Sequence, residues 1–321
     1  MSLEAKRPPE TQPGSPLANV VAEIEKAFLG KRHVVELSVA TLLAGGHLLL
    51  EDVPGTGKTT LAKAISRVLD CRFSRIQFTA DMLPSDVVGT SIYNPKDGQF
   101  AFRAGPIFTN ILLADEVNRT SPRTQSSLLE AMNERQVTVD TGTMELESPF
   151  FVIATQNPKE LHGTYPLPES QLDRFLLSVD IGYPEAAVEK QILAGGNDSA
   201  RLASMRRVLS KPDLLDLQRR VEQVAAKDSL IDYAYAIVSA TRSSPHFELG
   251  ASPRAGIQLI RAARAVALMR GRSYVTPDDV RRVAPHALAH RLLLKSSSQV
   301  FAGRSQAIAK IEELLDSIPA P

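Results

Sequence analysis

The chain has 321 residues, 43% of them apolar and only 5% aromatic, with no tryptophan. That length exceeds what one hydrophobic core ordinarily fills and predicts about two domains, while the apolar content excludes a largely disordered polymer. Lys and Arg total 37 against 36 Asp and Glu, a formal charge of +1, which argues against a dedicated nucleic-acid binder because such proteins carry a basic excess.

Residues 1–17 hold four prolines (Pro8, Pro9, Pro13, Pro16) and no apolar stretch of the length a signal peptide needs, so they are expected to form a disordered tail. Between residues 18 and 44 apolar positions recur at helical spacing on either side of Leu29-Gly30-Lys31, predicting two helices joined at a glycine. His47 to Leu50 is a short apolar run, followed by a Gly-rich segment and an amphipathic stretch from Thr60 to Leu69; the order is strand, loop, helix. Four more strand-like runs follow, at Phe73–Phe78, Ile111–Ala114, Phe150–Ala154 and Phe175–Val179. Most are separated by helical segments, the pattern of a parallel α/β sheet covered on both faces. Pro84 to Gly105 breaks the rhythm as an insertion with hairpin character, and Gln136 to Leu146 predicts a β-hairpin around Asp140-Thr141-Gly142.

After Tyr183-Pro184 the strands are expected to stop. Residues 185–206, 212–226, 228–243, 253–270, 277–294 and 298–318 all have helical patterning, which places a boundary near 183 with an all-α domain behind it. No run of about 18 apolar residues is free of charge, since the best candidate, Ala255 to Met269, is broken by Arg261 and Arg264; no transmembrane segment is expected. Cys71 is the only cysteine, which excludes an internal disulfide or a multi-cysteine cluster and points to a reducing, cytoplasmic setting.

The residues with the clearest chemistry are Val53-Pro54-Gly55-Thr56-Gly57-Lys58-Thr59, most of the phosphate loop G-x-x-x-x-G-K-[ST], with Thr60 continuing into the helix. Glycines there let successive backbone N–H groups turn inward around phosphates at a helix start. Lys58 would reach the β- and γ-phosphates and the Thr59 hydroxyl would bind Mg²⁺. Asp52 stands where the pattern has its first glycine, so its carboxylate is expected outside the cradle. Ile111 to Glu116 is an apolar strand ending in two acids: Asp115 would support the Mg²⁺ and Glu116 would orient and deprotonate the attacking water. Asn157 follows the Phe150–Thr155 strand, where an amide can reach a γ-phosphate or hold that water, although an Asn-Pro turn explains it equally. Arg174 lies between helix and strand; it serves either a neighbour's nucleotide or a structural pair with Asp173. Arg254 starts a helix of the second domain, either with its charge on the same phosphates or as a surface arginine.

Taken together, the sequence resembles the MoxR family of AAA+ ATPases over roughly residues 18–320. The resemblance rests on stretches such as Arg75-Ile76-Gln77-Phe78-Thr79, Gly105-Pro106-Ile107-Phe108-Thr109-Asn110, Leu128-Leu129-Glu130-Ala131-Met132, Gly163-Thr164-Tyr165-Pro166-Leu167-Pro168-Glu169 and Gln171-Leu172-Asp173-Arg174-Phe175. It implies a disordered tail over 1–17, an AAA+ α/β nucleotide-binding domain over 18–183 with helix-2 and pre-sensor-1 hairpin insertions, and a helical lid over 184–321. It further implies that Asp115 and Glu116 are the Walker B acids, Asn157 sensor 1, Arg174 the arginine finger and Arg254 sensor 2, and leaves Arg119, Arg123 and Arg254 as alternatives to Arg174 for the arginine that acts in trans. Family members look like hexameric ATP- and Mg-dependent ring chaperones that remodel a protein client, commonly with a von Willebrand factor A domain partner. Two alternatives share the same parts: a DNA-associated ring motor and the motor subunit of a metal chelatase.

Other signals carry less. His286 and His290 lie four apart without the flanking Glu of a zinc motif, and Cys71 is expected as a packed small residue. The paired arginines at 206–207, 219–220 and 281–282 suit solvated helix faces. Tyr93, Phe100 and Phe102 of the insertion either pack the hairpin down or face a ring pore.

Overall fold

The computed structural model describes residues 15–53, 55–96, 98–139, 142–157, 163–195, 198–295 and 302–321. The strands are β1 (Leu48–Glu51), β2 (Phe73–Gln77), β3 (Gly89–Asn94), β4 (Gln99–Ala104), β5 (Ile111–Asp115), β6 (Gln136–Val139), β7 (Gly142–Glu145), β8 (Phe151–Gln156), β9 (Leu177–Val179), β10 (Phe247–Leu249) and β11 (Leu293–Leu294). The helices are α1 (Pro16–Glu25), α2 (Arg32–Leu43), α3 (Lys58–Val68), α4 (Pro84–Val88), α5 (Pro122–Glu134), α6 (Glu169–Leu172), α7 (Ala186–Gly195), α8 (Asp198–Ser204), α9 (Lys211–Gln223), α10 (Asp228–Ser243), α11 (Pro253–Met269), α12 (Pro277–Leu288) and α13 (Ala302–Ser317).

Five strands form a parallel sheet in the order β2-β5-β8-β1-β9. Side chains alternate across a strand, and the sheet divides its apolar residues accordingly. Leu48, Leu50, Leu113, Ile153 and Val179 join one core with α1 to α3 and the C-terminal helices. Leu49, Leu112, Ala114, Val152 and Ala154 join a second core with Leu128 and Met132 of α5. Burial on both faces explains why these strands read as unbroken apolar runs.

Helix starts repeat one device. Ser15, Ser121 and Ser252 each accept a backbone N–H of the first turn, and each is followed by proline at the position where a missing N–H costs nothing. Ser210 and Thr276 donate their backbone N–H groups to the carboxylates of Asp213 and Asp279.

Several expectations change. Pro16 and Leu17 belong to α1 and Leu17 is buried, so the helix starts inside the expected tail; residues 1–14 lie outside the described residues. Helix is present over Ala186–Gly195 (α7) and Asp198–Ser204 (α8) of the expected 185–206 segment, with residues 196 and 197 outside the described residues. The predicted 277–294 helix ends at Leu288, and strands do not stop at 183: β10 pairs antiparallel with β11, Phe247 opposite Leu294. Phe247 is buried in that ribbon, a long-range pairing that local periodicity does not register. The two hairpins expected from turn residues are β3–β4 and β6–β7, with Asp140 and Thr141 outside the described residues. In the first, Phe102 packs edge-on against Phe108, while Tyr93 and Phe100 pair at 5.3 Å yet remain exposed.

Candidate functional site

Because all five strands run in one direction, the sheet has two distinct edges. At its carboxyl edge β8 lies between β1 and β5, which brings the loop after β1, the acids after β5 and Asn157 after β8 side by side.

Gly55 and Gly57 take φ of 84° and 90°, the left-handed region glycine enters freely. A Cβ added at Gly55 would meet nothing within 4 Å, and one at Gly57 would stand 3.1 Å from the Phe28 ring. Gly57 caps α3 without a side chain, leaving the first amides of that helix open to an anion. Lys58 starts α3, and its Nζ donates to the carbonyl of Asp52 at 2.7 Å. Burial pulls the Lys58 pKa down, opposed by the charges of Asp52, Asp115 and Glu116. Thr59 and Thr60 fall in the first turn; the Thr60 hydroxyl donates to Asp198 at 3.1 Å. Pro54 lies outside the described residues. A cavity of about 120 Å³ beside the loop is lined by apolar Phe28, Leu29, Ile181, Pro184 and Ile192 together with the charged Lys31, Asp198 and Arg201.

Asp52 does stand outside the cradle. Its buried carboxylate accepts N–H bonds from Val53 (2.7 Å), Ile181 (2.9 Å) and Gly182 (2.6 Å), tying the loop to the end of β9. The Val53 amide is thereby engaged by Asp52.

Asp115 accepts from the Thr155 hydroxyl at 2.6 Å and pairs with Arg75 at 2.6 Å. Glu116 sits at φ 58°, a conformation uncommon outside glycine, which lifts its side chain off the strand line. Its N–H donates to Thr155, Gln77 donates to its Oε2 at 2.8 Å, and Arg119 Nε lies 2.9 Å from the same oxygen. Arg119 is therefore paired with Glu116 of its own chain. Arg75, Gln77 and Thr155 were not singled out from the sequence as site residues. Their available signal was polar residues at period two on strands adjoining the acids.

At the amino edge stands a second cluster. Arg174 precedes β9 and donates to the Leu129 carbonyl at 2.9 Å, with its buried Nε unpartnered at a cavity of about 310 Å³. Arg254 donates to Asn133 at 3.0 Å and approaches Asp173 at 4.0 Å. Burial, then the like charge of Arg254, holds the Arg174 pKa below its usual value. Arg254 thus stands beside Arg174, a place set by the course of α11, whose start is anchored on Asp173 through Ser252 and Gln258. Arg291 Nε also binds Asp173, at 2.8 Å, so Asp173 joins the start of α11 to the segment after α12.

The remaining candidates have structural partners. His286 and His290 meet the backbone carbonyls of Ser178 and Phe175, and Cys71, half-buried, has its thiol pushed up to about 11 by burial. Among the described residues no helix is long and apolar enough to cross a membrane.

Comparison with known proteins agrees with this architecture. Residues 47–177 match the model of the ATPase family associated with various cellular activities (AAA), and residues 239–314 match an AAA lid domain. The uncharacterised protein YeaC of Bacillus subtilis is 50% identical over 95% of both chains. Chaperone MoxR1 of Mycobacterium tuberculosis is 42% identical over 87% of this chain and 76% of its own. The crystal structure of a proposed ATPase from Cytophaga hutchinsonii superposes with a TM-score of 0.85 at 36% identity, covering 95% of each chain. A parallel sheet with the order β2-β5-β8-β1-β9, an open glycine loop before α3, paired acids after β5 and relatives of this closeness lead to one assignment: the chain belongs to the MoxR family of AAA+ ATPases.

Proposed function

We propose that this ATPase binds ATP and Mg²⁺ between subunits of a ring, a hexamer by family resemblance, and uses hydrolysis to remodel a protein client as a chaperone, with a von Willebrand factor A domain protein as partner. The nucleotide-binding unit extends to about residue 183 and the helical lid follows. The cation, when bound, polarises the terminal phosphate and neutralises the charge that develops there. The oxygen donors for it are Thr59 and Asp115, a hard set that suits Mg²⁺. The open amides of α3 and the Lys58 ammonium bind the phosphates, Glu116 takes the proton of the attacking water, and Asn157 orients that water.

The observation that carries a shared site is the separation of the two clusters. Lys58, Asp115 and Glu116 gather at the carboxyl edge, whereas Arg174, half-buried beside a cavity, and the exposed Arg254 stand at the amino edge, away from their own phosphate loop, which supports their service to the phosphates of another copy. Mixing chains tests this. Lys58→Ala and Arg174→Ala proteins are each inactive alone, and a 1:1 mixture recovers about a quarter of wild-type turnover, because one interface in four then joins an intact loop to an intact arginine. No recovery at saturating protein overturns the shared site.

A further inference from the structure

Two surface features present large apolar side chains to solvent. The first is a groove of about 740 Å³ between α10 and α11, closed at one side by the end of α9. Its apolar lining is Ile231, Tyr235, Val238, Ile257 and Ile260, and Ile257 is 69% exposed. Gly256 keeps the groove deep: a Cβ there would meet Val238 only at an ordinary 3.5 Å, so alanine would fit and would favour the helix by about 1 kcal/mol. Arg242, Arg261 and Arg264 also line it, against one acid, Glu222. The Arg264 Nε is buried without a hydrogen bond, and the Arg261 guanidinium crowds Gly45 together with that of Arg135. The groove is apolar at its base and carries an excess of positive charge, three arginines against Glu222.

The second feature is α7, none of whose residues is buried. Glu185, Glu189 and Leu193 recur at intervals of four and form one ridge. Leu193, 79% exposed, lies at the end of that ridge, and Tyr183, 72% exposed, lies just before the helix. A leucine presented to water behind two carboxylates is the chemical complement of an apolar groove with arginines on it.

These features lie at opposite edges of the sheet. Ile192 of α7 shares a cavity with Gly55, Thr56 and Gly57 of the phosphate loop, at the carboxyl edge. The groove runs along α11 from Pro253, beside Arg254, to Arg261 at Gly45, which precedes β1 at the amino edge. Bringing Arg174 of one copy to the Lys58 loop of the next therefore brings the groove of the first toward α7 of the second.

We propose that the occupant of the α10–α11 groove is α7 of a second copy of this chain, with Leu193 seated against Ile257 and Tyr235 and with Glu185 and Glu189 facing Arg261 and Arg264. The contact is head-to-tail and joins unlike patches, so it propagates from subunit to subunit and closes into a ring when the rotation permits. It rests on the proposed service of Arg174 to a neighbour.

Cross-linking tests it. Leu193→Cys and Ile257→Cys change exposed side chains, and the native Cys71 thiol, held near 11 by burial, competes little as a thiolate. In ATP and Mg²⁺ under mild oxidation, the two variants mixed give a disulfide-linked dimer, at least ten times the yield of either alone, and adding Glu189→Arg to the Leu193→Cys chain lowers that yield tenfold. A mixture no better than the single variants, or Leu193→Cys cross-linking to itself, overturns the proposal. Turnover of the Lys58→Ala and Arg174→Ala mixture separates the two ideas: recovered turnover without cross-linking rejects the groove contact alone, and cross-linking without recovered turnover rejects the shared nucleotide site alone.

Discussion

Arg75 on the outer strand β2 places Nη2 2.6 Å from Oδ2 of Asp115 on β5, so the acid proposed to support the metal is paired with a cation from the neighbouring strand. Arg75 also donates to Gln77, which in turn donates to Glu116, so the two acids are linked through one edge strand.

Arg75→Ala removes a positive charge next to the proposed cation position. The pair is partly exposed, which limits its worth to about 1 kcal/mol. The Mg²⁺ concentration giving half-maximal ATPase activity should therefore fall by about fivefold, read from a magnesium titration at fixed ATP. An unchanged titration midpoint would show that Arg75 does not compete for Asp115.

Glu116→Gln keeps the size of the side chain but loses its basicity. ATP binding measured by calorimetry should stay within about threefold of wild type, while turnover falls by about 10²–10⁴, the range general-base catalysis supplies. Turnover near the wild-type rate would remove Glu116 from proton transfer.

Asp52→Gly restores the residue that the phosphate-loop pattern carries, yet it should weaken the protein. The carboxylate satisfies three backbone N–H groups, at Val53, Ile181 and Gly182. Stranding them costs about 2–3 kcal/mol, and a glycine at this position adds backbone entropy to the unfolded chain. Denaturant unfolding should show that loss; equal or greater stability would mean that the anchor is dispensable.

His47 provides a pH test. It is fully buried before β1, where one ring nitrogen accepts from the Val152 N–H and the other donates to the Met132 carbonyl, so the neutral ring is the bound form. Burial lowers its pKa from 6.5 to about 4. The unfolded chain therefore takes up the proton first as pH falls below 6.5, and stability declines until pH 4, by about 2 kcal/mol at pH 5 from this residue. His286, lowered to about 4 by burial, acts in the same direction and window. His47→Gln should flatten the dependence of unfolding free energy on pH between 7 and 5; an undiminished slope would assign the effect elsewhere.

The sequence by itself determined whatever depends on neighbours along the chain. Glycine spacing before Lys58 specifies a strand-loop-helix turn, unbroken apolar runs specify strands covered on both faces, and Ser-Pro pairs start helices, so the α/β class and most element positions were legible. The placement of Asp115 and Glu116 followed from the same rule, because an acid directly after a parallel strand emerges at the carboxyl edge. Only the tertiary structure decided which residues meet across it. Arg254 lies at the amino edge because α11 is anchored on Asp173, 79 residues away through Ser252. Asp52 is satisfied by amides about 130 residues later, and Glu116 by Gln77 on a strand adjacent only after the sheet has formed. The β10–β11 ribbon was likewise hidden. Periodicity reports which face of an element is apolar; it carries no record of strand order or of which helix lands on which edge, and those contacts decide what each charged side chain can reach.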